Sequence, residues 1–251
     1  MQAIILAAGM GKRLAELTKD NTKCMVRVNG IPLIDRALHH LFQLNLSRIV
    51  IVIGYQGDNL RRHIGQHHPK LPVHYIENPI YDKTNNIYSL SLARKELQED
   101  DTLLIESDLI FDAGILQRIV AHPYPNLAVV DRYQPWMDGT VITKDAADNI
   151  TSFIPKKDFN PAHTETYWKT VNIYKFSRDF ATNMYLPFLE TYMRVYGVNE
   201  YYEQVLRVLS FQDMTILRAL ALRPDERWYE IDTETDLHKA EQLFNEPSPL
   251  S

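Results

Sequence analysis

Leu6-Ala7-Ala8-Gly9-Met10-Gly11-Lys12-Arg13-Leu14 follows directly on an apolar run, Ala3 to Ala7, in a chain of 251 residues. The run is continuous rather than alternating, which predicts a strand covered on both faces of a parallel sheet. Two glycines at its end allow the backbone to wrap a polyphosphate with its N–H groups turned inward. Arg13 and, ten residues later, Lys23 supply positive charge where phosphate must be neutralised. A dinucleotide-binding fingerprint would need a third glycine where Leu14 stands, and a Walker A loop would need four residues between its glycines and a Lys-Ser/Thr pair. A plain strand-to-helix turn could hold the glycines, but it gives no reason for the two cations to gather beside them.

Outward from this loop the first half alternates strand-like and helical patterns. Pro32 opens a helix with Leu33, Ile34, Ala37, Leu38, Leu41 and Phe42 at helical spacing. Ile49 to Ile53 is a second buried strand ended by Gly54, and Val73 to Ile76 a shorter one. Asn86 is expected to cap a helix bearing Ile87, Leu90, Ala93 and Leu97. Thr102 to Glu106 is a further strand leading to Ser107-Asp108. This order predicts an α/β, Rossmann-like, three-layer fold with a mostly parallel sheet, whose ligands lie at the carboxyl ends of the strands.

The second half reads as shorter strands, 127–131, 139–143, 150–154 and 167–176, followed by helices over about 178–196 and 199–212. A last strand at 228–231 and a helix at 233–244 close the chain, and the tail from Glu246 is expected to fray. No linker divides the halves. The expectation is a single domain over 1–251: a nucleotide-binding half at 1–126, an inserted antiparallel substrate lid at 127–227, and a returning strand and helix at 228–251.

Composition narrows the function. Lys plus Arg is 27 against 32 Asp plus Glu, a net charge of −5, so no basic footprint for nucleic acid is present. The single cysteine excludes an internal disulfide and suits a reducing compartment. With no apolar run near the length of a membrane span, the expectation is a cytoplasmic enzyme. Cys24 is read as a packing residue. His63, His67 and His68 lack the carboxylate spacing of a zinc-protease motif and are read as surface residues.

The loop with Lys23 resembles the signature of nucleotidyltransferases that make sugar nucleotides and related small-alcohol conjugates, and the resemblance extends over nearly the whole chain. It implies a GT-A-like nucleotidyltransferase fold and an Mg²⁺-dependent reaction. Asp108 resembles the family's metal-binding aspartate, and Asp232, in Trp228-Tyr229-Glu230-Ile231-Asp232, resembles the second. Arg13 and Lys23 then hold the triphosphate, with Leu6, Ala7, Ala8, Gly9, Gly11 and Lys12 around the nucleotide and Asn85, Asn86 and Ser89 toward its base. Ser152 to Lys157 sits where sugar-nucleotide enzymes carry Glu-Lys-Pro, but Pro155 replaces the glutamate, so only a lysine role carries over, to Lys156.

Thr84 to Leu90, Tyr133 to Gly139 and Asn199 to Glu203 resemble a narrower group, the bacterial choline-phosphate and 2-aminoethylphosphonate cytidylyltransferases. That implies CTP and a small amine-bearing phosphate or phosphonate as substrates. A cationic head wants aromatic faces and carboxylates, for which Trp136, Asp138, Tyr201, Tyr202 and Glu203 are the candidates. A sugar-1-phosphate nucleotidyltransferase and a non-catalytic nucleotide sensor are the alternatives. A homodimer is left open.

Overall fold

The structure, a computed structural model, describes residues 1–245; the expected fraying of Glu246 to Ser251 lies outside them. Four apolar runs form the parallel centre: β1 (Gln2–Ala7), β2 (Ile49–Ile53), β3 (Val73–Glu77) and β4 (Thr102–Glu106). β1 pairs with β2 and β4, and β3 flanks β2, all parallel. The intervening helices are α1 (Leu33–Phe42), α2 (Gly57–His67) and α3 (Asn86–Leu92).

Alternate residues of each strand enter opposite layers. Ala3, Ile5, Ile49, Ile51, Leu103 and Ile105 pack against α1, α2 and α4 (Ala113–Ala121). Ile4, Leu6, Val50, Val52 and Leu104 face α3, α5 (Leu186–Tyr196) and α6 (Glu203–Gln212). Double coverage explains why these strands read as unbroken apolar runs.

The later strands extend the same sheet rather than forming a second one. Between β4 and α4 lies β5 (Leu109–Phe111). Then come β6 (Leu127–Arg132), β7 (Val141–Lys144), β8 (Ile150–Ile154) and β9 (Trp168–Phe176). β9 runs antiparallel to β4 and carries β6 and β7 beside it. β10 (Arg218–Ala221) adds parallel to β6, so the described residues form a nine-stranded sheet. Outside it, β5 pairs antiparallel with β11 (Trp228–Glu230), and α7 (Glu234–Leu243) follows. Sequence reading misses β5 and β10, each only three or four residues long.

Three local expectations need correction. Asn85, not Asn86, is the N-cap of α3: its Oδ1 accepts the Asn86 N–H at 2.8 Å. The helix expected from 199 starts at Glu203, because the loop before it is spent on α3: Val198 and Glu200 carbonyls accept the N–H groups of Asn85 and Ile87. His63 is not a surface residue. It is buried, with Nε2 2.8 Å from Asp35 Oδ1, and the half-buried His68 places its Nε2 2.9 Å from the same oxygen. A buried carboxylate needs such donors, and this one ties α1 to the end of α2.

His40, on α1, is largely buried, and burial pulls its imidazole down to about 4. Its Nε2 lies 3.1 Å from the Phe111 carbonyl. An unfolded histidine titrates near ~6.5, so between that value and about 4 only the unfolded chain takes up the proton. Stability conferred by the neutral ring is complete above the unfolded value and is lost as the pH falls through this window. Urea melts at pH 7 and pH 5 should differ by ~2 kcal/mol from this residue, and His40→Gln should remove that part of the difference.

Candidate functional site

The glycine loop leaves β1 at the carboxyl edge of the sheet. Gly11 has φ +60°, and a Cβ there would lie 3.0 Å from the Thr18 side chain and 3.1 Å from that of Lys23. Gly54, at the end of β2, is equally constrained: a Cβ would meet the Ala8 carbonyl oxygen and Tyr81 Cβ at 2.8 Å. The backbone of Tyr55 donates to that carbonyl at 3.2 Å, fixing the loop to the neighbouring strand. Thr22, buried, donates to the Ala7 carbonyl at 3.3 Å and delivers Lys23 to the loop.

Lys23 is where distant parts of the chain meet. Its Nζ donates to Asp108 Oδ2 at 2.5 Å and to Asp232 Oδ1 at 2.6 Å. Arg13 reaches the same Asp232 oxygen at 2.6 Å while its side chain stays 62% exposed. Asp108 lies in the turn between β4 and β5, and Asp232 follows β11; the β5–β11 ladder, closed by the Ile231 N–H to the Asp108 carbonyl, brings them together. Asp232 is not the cap of α7. Thr233 is, in a capping box with Asp236, which leaves the Asp232 carboxylate to the cations.

Burial works against the Lys23 ammonium, but Asp108 and Asp232 outweigh it and hold its pKa above the ordinary lysine value. Asp108 Oδ1 is buried without a hydrogen-bond partner among the described residues. One oxygen each from Asp108, Glu230 and Asp232 lies within 4.8 Å of the others, a donor set that suits a hard divalent cation.

These groups line a cleft of about 650 Å³, inside the ~300–1,000 Å³ usual for ligand sites. Leu6, Ala8, Gly9, Gly11 and Lys12 line it together with Asn85, Asn86 and Ser89. Ala7 does not; it is buried in β1. Asp138, Lys156, Tyr201 and Glu203 line it as well. Lys156 Nζ donates to Asp138 Oδ2 at 2.7 Å, and both side chains are exposed. Glu203 accepts from the hydroxyls of Tyr174 at 2.5 Å and Thr140 at 2.9 Å. Burial, then the charge of Glu203, pushes the Tyr174 phenol well above its ordinary value, so it stays a donor.

The expected aromatic set is only partly gathered in this cleft. Tyr201, 53% exposed, and Tyr202 line it, although Tyr202 is 1% exposed and lies edge-on to Tyr174 at 5.8 Å. Trp136 stacks on Tyr229 at 4.6 Å and lines a small adjoining hollow with Trp228 and Glu230. Cys24 is buried, as expected of a packing residue, and burial pushes its thiol up to about 12.

Sequence reading passes over Glu106, Lys169, Asn172 and Glu230, all of which line the cleft. Two carried a signal. Glu106 and Glu230 each end a strand two residues before a noted aspartate, which marks both strand ends as candidates. Burial, then Asp108, raises the Glu106 carboxyl well above its ordinary value; burial pushes Glu230 up to about 7, against the pull of Lys169. Lys169 is 2% exposed, with Nζ 3.4 Å from Glu230 Oε2. Asn172 has φ 61° at the irregularity in β9, and its amide reaches Glu230 at 3.4 Å.

The glycine loop, its cations and the converging carboxylates lie together at the carboxyl edge of this sheet, and the comparisons with known proteins place the chain in a family. Residues 3–160 match the MobA-like NTP transferase domain, and the chain belongs to that family. It is 29% identical, over 98% of its length, to CMP-5′-(3-aminopropyl)phosphonate synthase of Streptomyces rubellomurinus, of which it spans 39%. It is also 29% identical to CTP:phosphoglutamine cytidylyltransferase of Campylobacter jejuni, over 94% of this chain and 98% of that one. The fold superimposes on CTP:phosphocholine cytidylyltransferase from Streptococcus pneumoniae with a TM-score of 0.76, at 21% identity, over 96% and 98% of the two chains. No helix among the described residues is long and apolar enough to cross a membrane.

Proposed function

We propose that this chain is an Mg²⁺-dependent cytidylyltransferase that moves CMP from CTP to a small amine-bearing phosphate or phosphonate and releases pyrophosphate. The observation that carries the reading is the meeting of Lys23 and Arg13 with Asp108 and Asp232 beside the glycine loop. Relatives named for cytidylyl transfer to phosphonates and phosphates support CTP and the acceptor class.

In this reading a phosphate or phosphonate oxygen of the acceptor attacks the α-phosphorus of CTP. A new P–O bond forms, the bond to the β-phosphate oxygen breaks, and pyrophosphate leaves. Such transfers depend on positioning and charge rather than on a protein nucleophile. Arg13 and Lys12 face the triphosphate from the exposed side of the loop. Lys23 exchanges part of its carboxylate contact for phosphate and stabilises the leaving pyrophosphate. Asp108, Asp232 and Glu230 would hold Mg²⁺, which when bound neutralises phosphate charge; the partnerless Asp108 Oδ1 fits that role. Lys156, exposed at the cleft, meets the acceptor's anionic end, and Glu203 its amine.

Pyrophosphate release tests this directly, with CTP, UTP, ATP and dTTP each crossed with 2-aminoethylphosphonate, phosphoethanolamine, phosphocholine and glucose-1-phosphate. Turnover is expected with CTP and the amine-bearing acceptors. Turnover with glucose-1-phosphate alone would reassign the chain to sugar-nucleotide synthesis.

A further inference from the structure

The start of α3 is built into the loop that carries Tyr201 and Tyr202. Asn85 N–H donates to the Val198 carbonyl at 3.0 Å and Ile87 N–H to that of Glu200 at 3.2 Å, so main-chain donors that a helix start leaves open are met by this loop. Asn86 completes the join through its side chain. Its Oδ1 accepts the Tyr202 N–H at 3.0 Å, and its Nδ2 donates to Glu106 Oε1 at 3.0 Å. One planar amide thereby links three elements: α3, the end of β4 two residues before Asp108, and the segment that opens α6 with Glu203. Turning the amide toward a nucleotide base would sacrifice at least one of these bonds.

We infer that Asn86 is a positioning residue: its amide sets the segment Tyr201 to Glu203 against the end of β4, and so controls affinity for the acceptor rather than for the nucleotide. The inference rests on the cytidylyltransferase reading above. It separates Asn86 from Ser89, one turn further on, whose hydroxyl accepts from Asn78 at 3.1 Å.

The test is a reciprocal exchange. Asn86→Asp keeps the oxygen that accepts from Tyr202 but sets a second carboxyl against Glu106 in place of a donor. It should raise the KM for 2-aminoethylphosphonate at least tenfold and change the KM for CTP less than threefold. Adding Glu106→Gln restores a donor facing an acceptor with the roles reversed. The acceptor KM of the double variant should return to that of Glu106→Gln alone. A residue that read the base would show the opposite split, with the CTP KM rising and no recovery in the double variant, and that result overturns the inference. If Asn86→Asp does not fold, Asn86→Ala reads the same split between the two KM values. Absence of turnover by the unaltered protein with every nucleotide and acceptor would overturn the cytidylyltransferase reading itself.

Discussion

Asp108→Asn should lower kcat about 10³-fold or more in the presence of Mg²⁺, with the fold intact. The change is nearly isosteric, so the β4–β5 turn and the Ile231 N–H bond to the Asp108 carbonyl survive. What disappears is the negative charge at a point where Lys23 and the candidate metal oxygens of Glu230 and Asp232 converge. A divalent ion that orients and neutralises a transferring phosphoryl group is worth several kcal/mol, and about 4 kcal/mol corresponds to a thousandfold in rate. Asp232→Asn should be milder, because its carboxylate is shared by Arg13 and Lys23, while Asp108 offers a buried oxygen without a hydrogen-bond partner among the described residues. Steady-state kinetics of both variants, with melting curves as a control for folding, decide the matter. Turnover of Asp108→Asn within tenfold of the unaltered protein would remove Asp108 from the metal site.

The parallel centre of the fold was legible because burial on both faces leaves a plain trace, and Ile49 to Ile53 admits few other readings. The place of the loop at 8–13 was legible too: two glycines directly after a buried apolar run mark the turn at the carboxyl end of β1. The meeting of Asp108 with Asp232 was not. It depends on a three-residue ladder between β5 and β11, of which β5 was too short to be marked in the sequence, and only resemblance to known enzymes suggested it. Polar residues in apolar surroundings were the other blind spot. His63 looked like one histidine in a hydrophilic stretch, and its partner Asp35 lies 28 residues away on another helix. Lys169 sits in a strand whose pattern explained its neighbours, so its charge drew no notice until Glu230 was found beside it. The aromatic residues misled for the converse reason. A tyrosine serves a core and a ligand equally well by composition, and only the fold places the Tyr202 ring against Tyr174.

Lys23→Met should cost stability as well as activity, and the two losses should answer differently to Mg²⁺. Methionine fills much of the same space without charge, so the variant isolates the ammonium. In its absence the carboxylates of Asp108 and Asp232 lose their shared cation, with one oxygen of each and one of Glu230 within 4.8 Å of one another. The Lys23 side chain is 14% exposed and those of the two aspartates 17% and 18%, so water screens the repulsion only in part. Breaking a buried ion pair by removing one partner costs ~3–5 kcal/mol, and partial exposure brings the expectation here to about 2 kcal/mol. For a chain of this size that lowers the melting temperature by roughly 4–8 °C, measured in EDTA at low salt. Mg²⁺ should restore most of the loss, because it takes the carboxylates that the ammonium held. The same reasoning predicts that millimolar Mg²⁺ without nucleotide stabilises Lys23→Met more than the unaltered protein, in which the ion must compete with the ammonium. Activity should stay depressed about 10²-fold or more at saturating Mg²⁺, since the ion replaces the lysine as a counter-charge but not as a donor to the leaving pyrophosphate. A melting temperature indifferent to both the substitution and the ion would mean that the three carboxylates do not share one field, and the metal assignment would fall with it.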